Sequence, residues 1–551
     1  MLKLEEELQK IISDFLSQKG LREKPVVEIE TPRSLDYGDL SSNIALKVSR
    51  YLNINPLELG TEISEYLKGK LQNVFEKIEI VSPGFINFHL SWNFLYHNLE
   101  EILLQNSNYG KCEVGKRQRV LLEFVSANPT GPLSIAHGRQ AAIGGSLARI
   151  LQFAGYNVEK EYYINDEGTQ IDLLGESLRI RCLQIQGENV QLPPEGYQGE
   201  YLISIARELL QRKKLSIDRI KGLHGRYFSQ YAVETILQEI KEELAGFGIH
   251  YEYWSSQRKL REKGKIEKAL TELQKRNLIY EKDGALWFKS TEFGDDQDRV
   301  VKRKDGTYTY FAADIAYHKE KFERGYDLLI DIWGPDHHGY ISRVKAAMRA
   351  MGYSEEQLKI LIVQLATVYR DGKPIALSTR KGQLLTLKEV VNEIGRDATL
   401  YFLLTRKLDS HLDFDIELAK KQSLENPVYY IQYAHARICS ILEYARENDI
   451  HFVEFDSGIF QLLNENEEKV ILRLLAQFPR VIKISSLILE PSLLTVYLHN
   501  LAGEFHRYYS KHRVVGEKQN LTFARLALIR AIQIVIKNGL GLLGISAPQK
   551  M

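Results

Sequence analysis

The chain has 551 residues, 44% of them hydrophobic and 26% charged, with 73 basic against 72 acidic side chains. That length is too great for one core and calls for three or four domains. A net charge of +1 excludes a globally basic nucleic-acid wrapper, so any RNA-facing surface has to come from local segregation of charge. Cys112, Cys182 and Cys439 form no Cys-x-x-Cys pair, which argues against a disulfide framework or a zinc knuckle and for a reducing compartment. The N-terminus is acidic and lacks the apolar stretch of a signal peptide, and Glu490 and Pro491 break the most apolar C-terminal region. No membrane span is expected, and the protein is read as cytoplasmic.

Residues 1 to about 110 read as a small α+β module. Periodicity places a helix over 2–16, a strand over 26–29, a helix over 41–51, and a strand pair over 78–81 and 85–90 around Pro83-Gly84, with Phe85 in the core. A basic linker over 111–119 follows. Residues 120–125, apolar except for Glu123, fit a buried strand of a parallel sheet. Asn128-Pro-Thr-Gly-Pro132 stops that strand. A helix follows, with Ile135, Ala141, Leu147 and Leu151 on its apolar side and Gly155 at its C-terminus. Free N–H groups and the positive end of the helix dipole make such a turn a natural place for phosphate. His137 and Arg139, in the first turn of the helix, are residue types that donate to phosphate oxygens. The plainer alternative is that His137 caps a helix and Glu123 pairs with an arginine.

Tyr162-Tyr-Ile-Asn-Asp-Glu-Gly168 opens a long charged insertion, helical over 201–210 and 230–247, with hairpin signals at Asp283-Gly284 and Asp305-Gly306. Tyr310 and Asp314 lie four apart on one face of a helix start. A guanidinium asks for a bidentate carboxylate and an aromatic wall, although alone this pair is better read as a core aromatic and a helix N-cap. A strand over 328–333 feeds Gly334-Pro-Asp-His-His-Gly339 and a helix over 340–351, where open α/β sheets bind ligands. Asp336, His337 and His338 lack a third spaced ligand, so no metal site is expected there. Residues 361–368 read as another buried strand, 370–373 as a tight turn, and Ala376-Leu-Ser-Thr-Arg-Lys-Gly382 as a basic loop able to close over a nucleotide. A helical connector over about 385–425 leads to an all-helical end. There Tyr429, Tyr430, Tyr433, Arg437, Arg507 and Tyr508 mix cations and aromatics as base-stacking surfaces do.

Ser126-Ala-Asn-Pro-Thr-Gly-Pro-Leu-Ser-Ile-Ala-His-Gly-Arg139 resembles the first signature of arginyl-tRNA synthetases, the arginine-specific form of the class I "HIGH" motif. Ser134-Ile-Ala-His137 stands where that family usually has His-Val-Gly-His. Residues 376–382 resemble the second signature, "KMSKS", with Ala376 and Thr379 in place of its lysines, and 334–340 resemble the Gly-x-Asp-His-His-Gly-Tyr segment. Pro32-Arg33, 36–39, 42–45 and 83–88 resemble the additional N-terminal domain that holds the tRNA elbow, and the C-terminal helices resemble the anticodon-binding bundle. The resemblance covers essentially the whole chain.

It implies a multidomain α/β fold with an N-terminal α+β module over 1–110. A Rossmann-type parallel-sheet catalytic domain over 111–410 carries an inserted connective region over about 165–305 that meets the acceptor end of tRNA. A C-terminal all-α helical bundle spans 411–551. The implied activity is ATP-dependent formation of arginyl-adenylate from L-arginine and its transfer to tRNA(Arg), by a monomer that needs tRNA present before it activates arginine. Magnesium accompanies ATP, and no protein-bound metal is implied. The resemblance assigns His137, Ser134, Arg380 and Lys381 to catalysis. It assigns Pro129, Thr130, Gly131, Pro132, Leu133, Ile135, Ala136, Gly138, Arg139, Gly334, Asp336, His337, Leu377 and Ser378 to ATP. Glu123, Ser126, Asn128, Tyr310, Asp314 and His338 go to arginine, and Asn87, Phe88, Tyr433, Arg437, Arg507 and Tyr508 to tRNA. Three other readings stay open at this point. One is a class I synthetase for another amino acid. The second is a tRNA binder that does not aminoacylate, which the departures at Ser134, Ala136, Ala376 and Thr379 would suit. The third is a nucleotidyltransferase without tRNA.

Overall fold

The computed structural model describes residues 1–21, 25–32, 34–375, 385–450 and 457–551. The N-terminal module contains α1 (Leu2–Gln18), β1 (Leu40–Ser42), α2 (Ile44–Leu52), α3 (Pro56–Lys70), β2 (Phe75–Val81), β3 (Phe85–Leu90) and α4 (Trp92–Gln105). Its antiparallel sheet has the order β1-β3-β2. The strand expected over 26–29 does not form. Val27 and Ile29 are buried, but Gln9 Nε2 takes the Val27 carbonyl at 3.0 Å, and the segment is tied to β1 by a bridge, Glu30 to Ser41, and by Ser42 Oγ donating to the Glu28 carbonyl at 2.7 Å. Alternation on β3 also corrects the expectation for Phe85: Ile86, Phe88 and Leu90 point into the core, and Phe85 is 39% exposed.

β4 (Arg119–Glu123) is the middle strand of the catalytic sheet. It is followed by α5 (Ile135–Phe153) and β5 (Asn157–Ile164), and then by a helical excursion of α6 (Thr169–Ile185), α7 (Glu200–Lys213), α8 (Ile217–Gly222) and α9 (Gly225–Gly246). The chain next returns to the same sheet as β6 (Tyr253–Ser256), so the region expected as one insertion is divided in two. Its second part holds α10 (Gln257–Glu262), α11 (Lys265–Lys275) and an antiparallel sheet of β7 (Ile279–Lys282), β8 (Ala285–Phe288) and β9 (Arg299–Lys302). α12 (Tyr310–Glu323), β10 (Leu328–Trp333), α13 (Ile341–Ala350) and β11 (Leu358–Ile362) complete the domain. The strands run parallel in the order β11-β10-β4-β5-β6. The chain order therefore reverses across β4, and the crevice beyond the carboxyl ends of β4 and β10 is where an open α/β sheet accepts ligand.

The strand expected over 361–368 is broken. β11 ends at Ile362, and β12 (Ala366–Arg370) belongs to another sheet with β13 (Lys373–Pro374) and β14 (Leu412–Asp415). α14 (Leu387–Ile394), α15 (Arg396–Leu403) and α16 (Ile416–Lys420) form the connector, and α17 (Pro427–Glu447), α18 (Asn466–Leu487), α19 (Ser492–Lys511) and α20 (Gln519–Leu543) the bundle. α20 is long and apolar enough to cross a membrane, contrary to the sequence reading, but 78% of its most apolar window is buried as the core of the bundle.

Candidate functional site

β4 ends in a γ-turn: the Ser126 amide donates to the Phe124 carbonyl at 3.0 Å, with Val125 at φ 69° and Ser126 at φ 39°. A β-branched residue is strained there, and such strain persists only where its surroundings over-determine it. Ser126 Oγ donates to Glu123 Oε1 at 2.8 Å and accepts the Tyr163 amide at 3.0 Å. The hydroxyls of Tyr162 and Tyr251 donate to the Ala127 and Phe124 carbonyls at 2.9 and 3.1 Å, and Tyr201 on α7 donates to the Thr130 carbonyl at 2.5 Å. These three clamps are drawn from 30 tyrosines, and no motif in the sequence singles them out. Asn128 stays exposed at the rim, its amide on Gln170 Oε1 at 3.0 Å, while Pro129 is buried and Thr130, Gly131 and Pro132 are half-buried.

Ser134 is the N-cap of α5. Its Oγ accepts the His137 amide, and its own amide donates to His137 Nδ1 at 3.1 Å. Thus His137 does cap the helix, but with one nitrogen only. Burial pushes its pKa down to about 4, against a smaller opposing effect of Asp336, so the ring is neutral and Nε2 carries the hydrogen. The expectation of a charge-assisted donor is corrected to a neutral one. Leu133 and Ile135 point into the core, leaving only their backbone to face the turn, and Ala136 is half-buried. Gly138 serves packing: a Cβ there would come within 2.6 Å of Leu387 on α14. The Leu387 amide donates to the Leu133 carbonyl at 2.8 Å, which joins the segment following the second signature to the first.

Arg139 does not reach the turn, which corrects its assignment to phosphate. It is wholly buried, and its guanidinium donates to the carbonyls of Gln364, Leu365 and Lys407 at 2.7, 3.3 and 2.9 Å. Two of those carbonyls, Gln364 and Leu365, lie in the β11–β12 junction, where the one expected strand divides in two. Across the crevice, Gln140 spans both turns, its amide oriented to donate to the Val125 carbonyl at 3.2 Å and to accept the Gly334 amide at 3.3 Å. Asp336, His337 and His338 lie exposed beyond Gly334, with His337 Nε2 3.5 Å from Asp336 Oδ2.

Thr309, not Asp314, caps α12, its Oγ1 accepting the Ala312 amide at 3.3 Å. Tyr310 is 46% exposed and lines a cleft of about 1260 Å³ with Gly168, Thr169, Gln257 and Arg226. Asp314, one turn further along, is half-buried, and its carboxylate makes no hydrogen bond or ion pair among the described residues. Burial pushes its pKa up to about 7; His318 and Lys321 act the other way, and Glu123 and Asp331 with it. Glu123 does not face the cleft. Its Oε2 accepts from Tyr317 Oη at 2.9 Å and from Lys321, and its Oε1 from Ser126.

The residues expected at tRNA separate sharply. Phe88 is 0% exposed and cannot stack on a base, and Asn87 is buried with its Oδ1 taken by Ser41 Oγ at 2.7 Å. Tyr508 is also buried, donating to Glu468 Oε1 at 3.1 Å. Arg507 remains exposed and pairs with Glu504 at 3.1 Å. Tyr433 and Arg437 line a cleft of about 740 Å³ with Tyr444, Tyr509, His512 and Arg513. The Arg437 guanidinium lies 4.9 Å from both the Tyr433 and Tyr509 ring centroids. Leu377, Ser378, Arg380 and Lys381 lie outside the described residues, as do Arg33, Ala376 and Thr379.

The chain matches three family models: the arginyl tRNA synthetase N terminal domain over residues 3–90, the catalytic domain of tRNA synthetases class I (R) over 98–191 and 228–417, and the DALR anticodon binding domain over 431–551. It is 45% identical over 530 residues to an arginine–tRNA ligase of Desulforamulus reducens, covering 96% of this chain and 94% of that one. The arginine–tRNA ligase of Nitratidesulfovibrio vulgaris strain DP4 is 43% identical over 554 aligned residues, covering 100% of both chains. Thermus thermophilus arginyl-tRNA synthetase has the same fold, with a TM-score of 0.78 at 21% identity over 99% of this chain and 100% of that one.

Proposed function

This chain belongs to the arginyl-tRNA synthetases, and we propose that its β4–α5 turn, its α12 carboxylate and its helical bundle divide the family's task among them. The enzyme is a class I arginine–tRNA ligase. The carboxylate of L-arginine attacks the α-phosphate of ATP in line, giving arginyl-adenylate and pyrophosphate. A ribose hydroxyl of the terminal adenosine of tRNA(Arg) then attacks the mixed anhydride. No covalent enzyme intermediate is required, so the protein contributes positioning and electrostatics.

One observation carries the assignment of the amino acid: a carboxylate without a partner among the described residues, Asp314, held in a poorly solvated place one helical turn from the exposed ring of Tyr310. A guanidinium satisfies such a group and stacks on such a ring, and a neutral side chain leaves the carboxylate unpaired. Asn128 and His338, exposed at the rim, suit the ammonium and carboxylate end of arginine. Ser126 acts through the turn it holds.

His137 Nε2–H and the first-turn amides of α5 address the phosphates. Thr130, Gly131 and Pro132 form the floor of the nucleotide site, with Gly334, Asp336 and His337 opposite. Magnesium arrives with ATP and is held largely by phosphate oxygens. Arg380 and Lys381, with Leu377 and Ser378, are assigned to the pyrophosphate side. The Tyr433–Arg437 cleft offers a planar cation between two rings, which suits an unstacked base of tRNA, and exposed Arg507 suits its backbone. The enzyme is read as a cytoplasmic monomer.

The test is arginine-dependent pyrophosphate exchange by the purified chain, with and without tRNA(Arg). Exchange that needs both arginine and that tRNA is expected. Silence in both conditions, with tRNA still bound, would overturn the catalytic reading.

A further inference from the structure

Behind Asp314 lies a group of charged side chains that turn away from the cleft. Glu123 on β4 and Asp331 on β10 are direct partners in the parallel register, and both are buried. Lys321, 0% exposed, bridges them: its Nζ donates to Asp331 Oδ1 at 2.7 Å and to Glu123 Oε2. His318 uses both ring nitrogens, Nε2 against Asp331 Oδ2 at 2.9 Å and Nδ1 against the Asp314 carbonyl at 2.8 Å. Two acceptors require two N–H donors, so this imidazole is a cation. On β5, Glu161 accepts from Arg324 at 2.5 Å and from Ser255, and Tyr163 stacks on Tyr317 at 4.2 Å.

Apart from Glu320, which is more exposed and lies 3.5 Å from the Arg324 guanidinium, these elements bring four carboxylates together, Glu123, Glu161, Asp314 and Asp331, against three cations, Lys321, Arg324 and His318. One negative charge is left over. Among the described residues Glu123, Glu161 and Asp331 have their partners and the Asp314 carboxylate has none, and Asp314 lies one turn along α12 from Tyr310, which lines the cleft. An uncompensated carboxylate in a poorly solvated place is costly, and a cation relieves that cost.

We propose that His318, Lys321 and Asp331 are positioning residues for amino-acid selection: they neutralise one another and Glu123 so that the charge deficit of the whole group falls on Asp314, and a cationic substrate side chain completes it. None of the three touches substrate. His318 also fixes the backbone of Asp314 itself, and the face of α12 that carries Asp314, His318 and Lys321 is thereby locked to β4 and β10. The inference rests on the reading that Asp314 receives the guanidinium.

The experiment is the pH profile of kcat/KM for arginine in the presence of tRNA(Arg), with KM for ATP as the control. His318→Gln keeps a donor toward Asp331 but removes a cation, so the deficit doubles and Asp314 becomes harder to ionise. The acid limb is expected to move upward by about one pH unit, a roughly tenfold loss on the acid side, with KM for ATP within about twofold. Adding Asp331→Asn removes one anion as well and restores the original deficit, so the double variant is expected to return the limb to its wild-type position. A merely structural role predicts the opposite, a double variant worse than the single. Should His318→Gln not fold, Lys321→Met alone and with Asp331→Asn poses the same question. An unmoved limb in the single variant, or no return in the double, overturns the inference. Failure of the underlying reading looks different: Asp314→Asn would then leave KM for arginine unchanged.

Discussion

Ser134 and His137 close a reciprocal capping box, the Ser134 amide donating to His137 Nδ1 at 3.1 Å while Ser134 Oγ accepts the His137 amide. The cap fixes the tautomer as well as the helix. With Nδ1 engaged as an acceptor, the remaining hydrogen must sit on Nε2, the side left for substrate.

His137→Ala should therefore slow adenylate formation by about a hundredfold to a thousandfold, the usual loss of one preorganised donor. Single-turnover chemistry at saturating ATP and arginine measures it. Because the ring has a depressed pKa of about 4, it stays neutral throughout the neutral range, so the variant should lower the rate without moving the acid limb of the pH profile. Its titration bears on stability instead. Between the ordinary value of 6.5 and about 4 the unfolded chain binds the proton first, so stability is lost as pH falls through that window. Loss of tRNA binding with normal chemistry would be the wrong outcome for this role.

Asp314 predicts the acid limb itself. Its folded pKa is raised to about 7 by burial, so below that pH the carboxyl is increasingly neutral and offers a guanidinium nothing to pair with. Arginine should bind more tightly as pH rises through 7, and it should release a proton on binding near that pH. Calorimetry in buffers of different ionisation enthalpy reads that proton. For folding the sign is reversed: a carboxyl with a raised pKa destabilises the substrate-free protein progressively as pH rises from its ordinary range through about 7. Asp314→Asn should raise KM for arginine about a hundredfold or more and leave the Kd for tRNA within about twofold. Unchanged aminoacylation would remove Asp314 from the pocket.

Local chemistry in this chain was readable from local sequence, and the misreadings share a cause. The strand–turn–helix of the first signature, the tight turn at Asp371-Gly372 and the Tyr310/Asp314 spacing all depend on neighbours within a few residues. Whether a side chain in such a motif meets ligand or protein depends on what folds over it. Arg139 looked like a phosphate donor because it lies two residues from His137, yet its partners are 225 to 268 positions away. Phe85 and Phe88 exchanged expected places because one residue of strand phase decides which face is inward. The tyrosine clamps on the β4 turn arrive from 35, 71 and 127 positions away, a distance at which hydroxyl-to-carbonyl pairing leaves no pattern.

Arg139 gives that distinction a test. Arg139→Met keeps much of the volume but leaves the Gln364, Leu365 and Lys407 carbonyls without their donor, at about 1–3 kcal/mol for each buried group left unpaired. Tm should fall by several degrees, while KM for ATP, measured well below the transition, should stay within about twofold. A large rise in KM for ATP with little change in Tm would return Arg139 to the nucleotide site.

The bundle cleft makes the last prediction. Arg437 lies between the rings of Tyr433 and Tyr509, its guanidinium also donating to Tyr433 Oη at 2.6 Å, so cation and aromatics form one surface on which a base can lie. Tyr433→Ala should weaken tRNA(Arg) binding by about 1–3 kcal/mol, the range for losing one stacked base. Tyr433→Phe, which keeps the ring, should retain most of that affinity. Arg437→Lys keeps the charge but not the plane, so binding should weaken with little change in its salt dependence. Tyr508→Phe, buried on Glu468, should lower Tm without changing tRNA affinity in the folded protein. Filter binding of tRNA(Arg) across a salt series, with arginine-dependent chemistry on pre-bound tRNA as the companion measurement, separates these outcomes. Equal losses from Tyr433→Phe and Tyr433→Ala would place the recognised base elsewhere on the bundle.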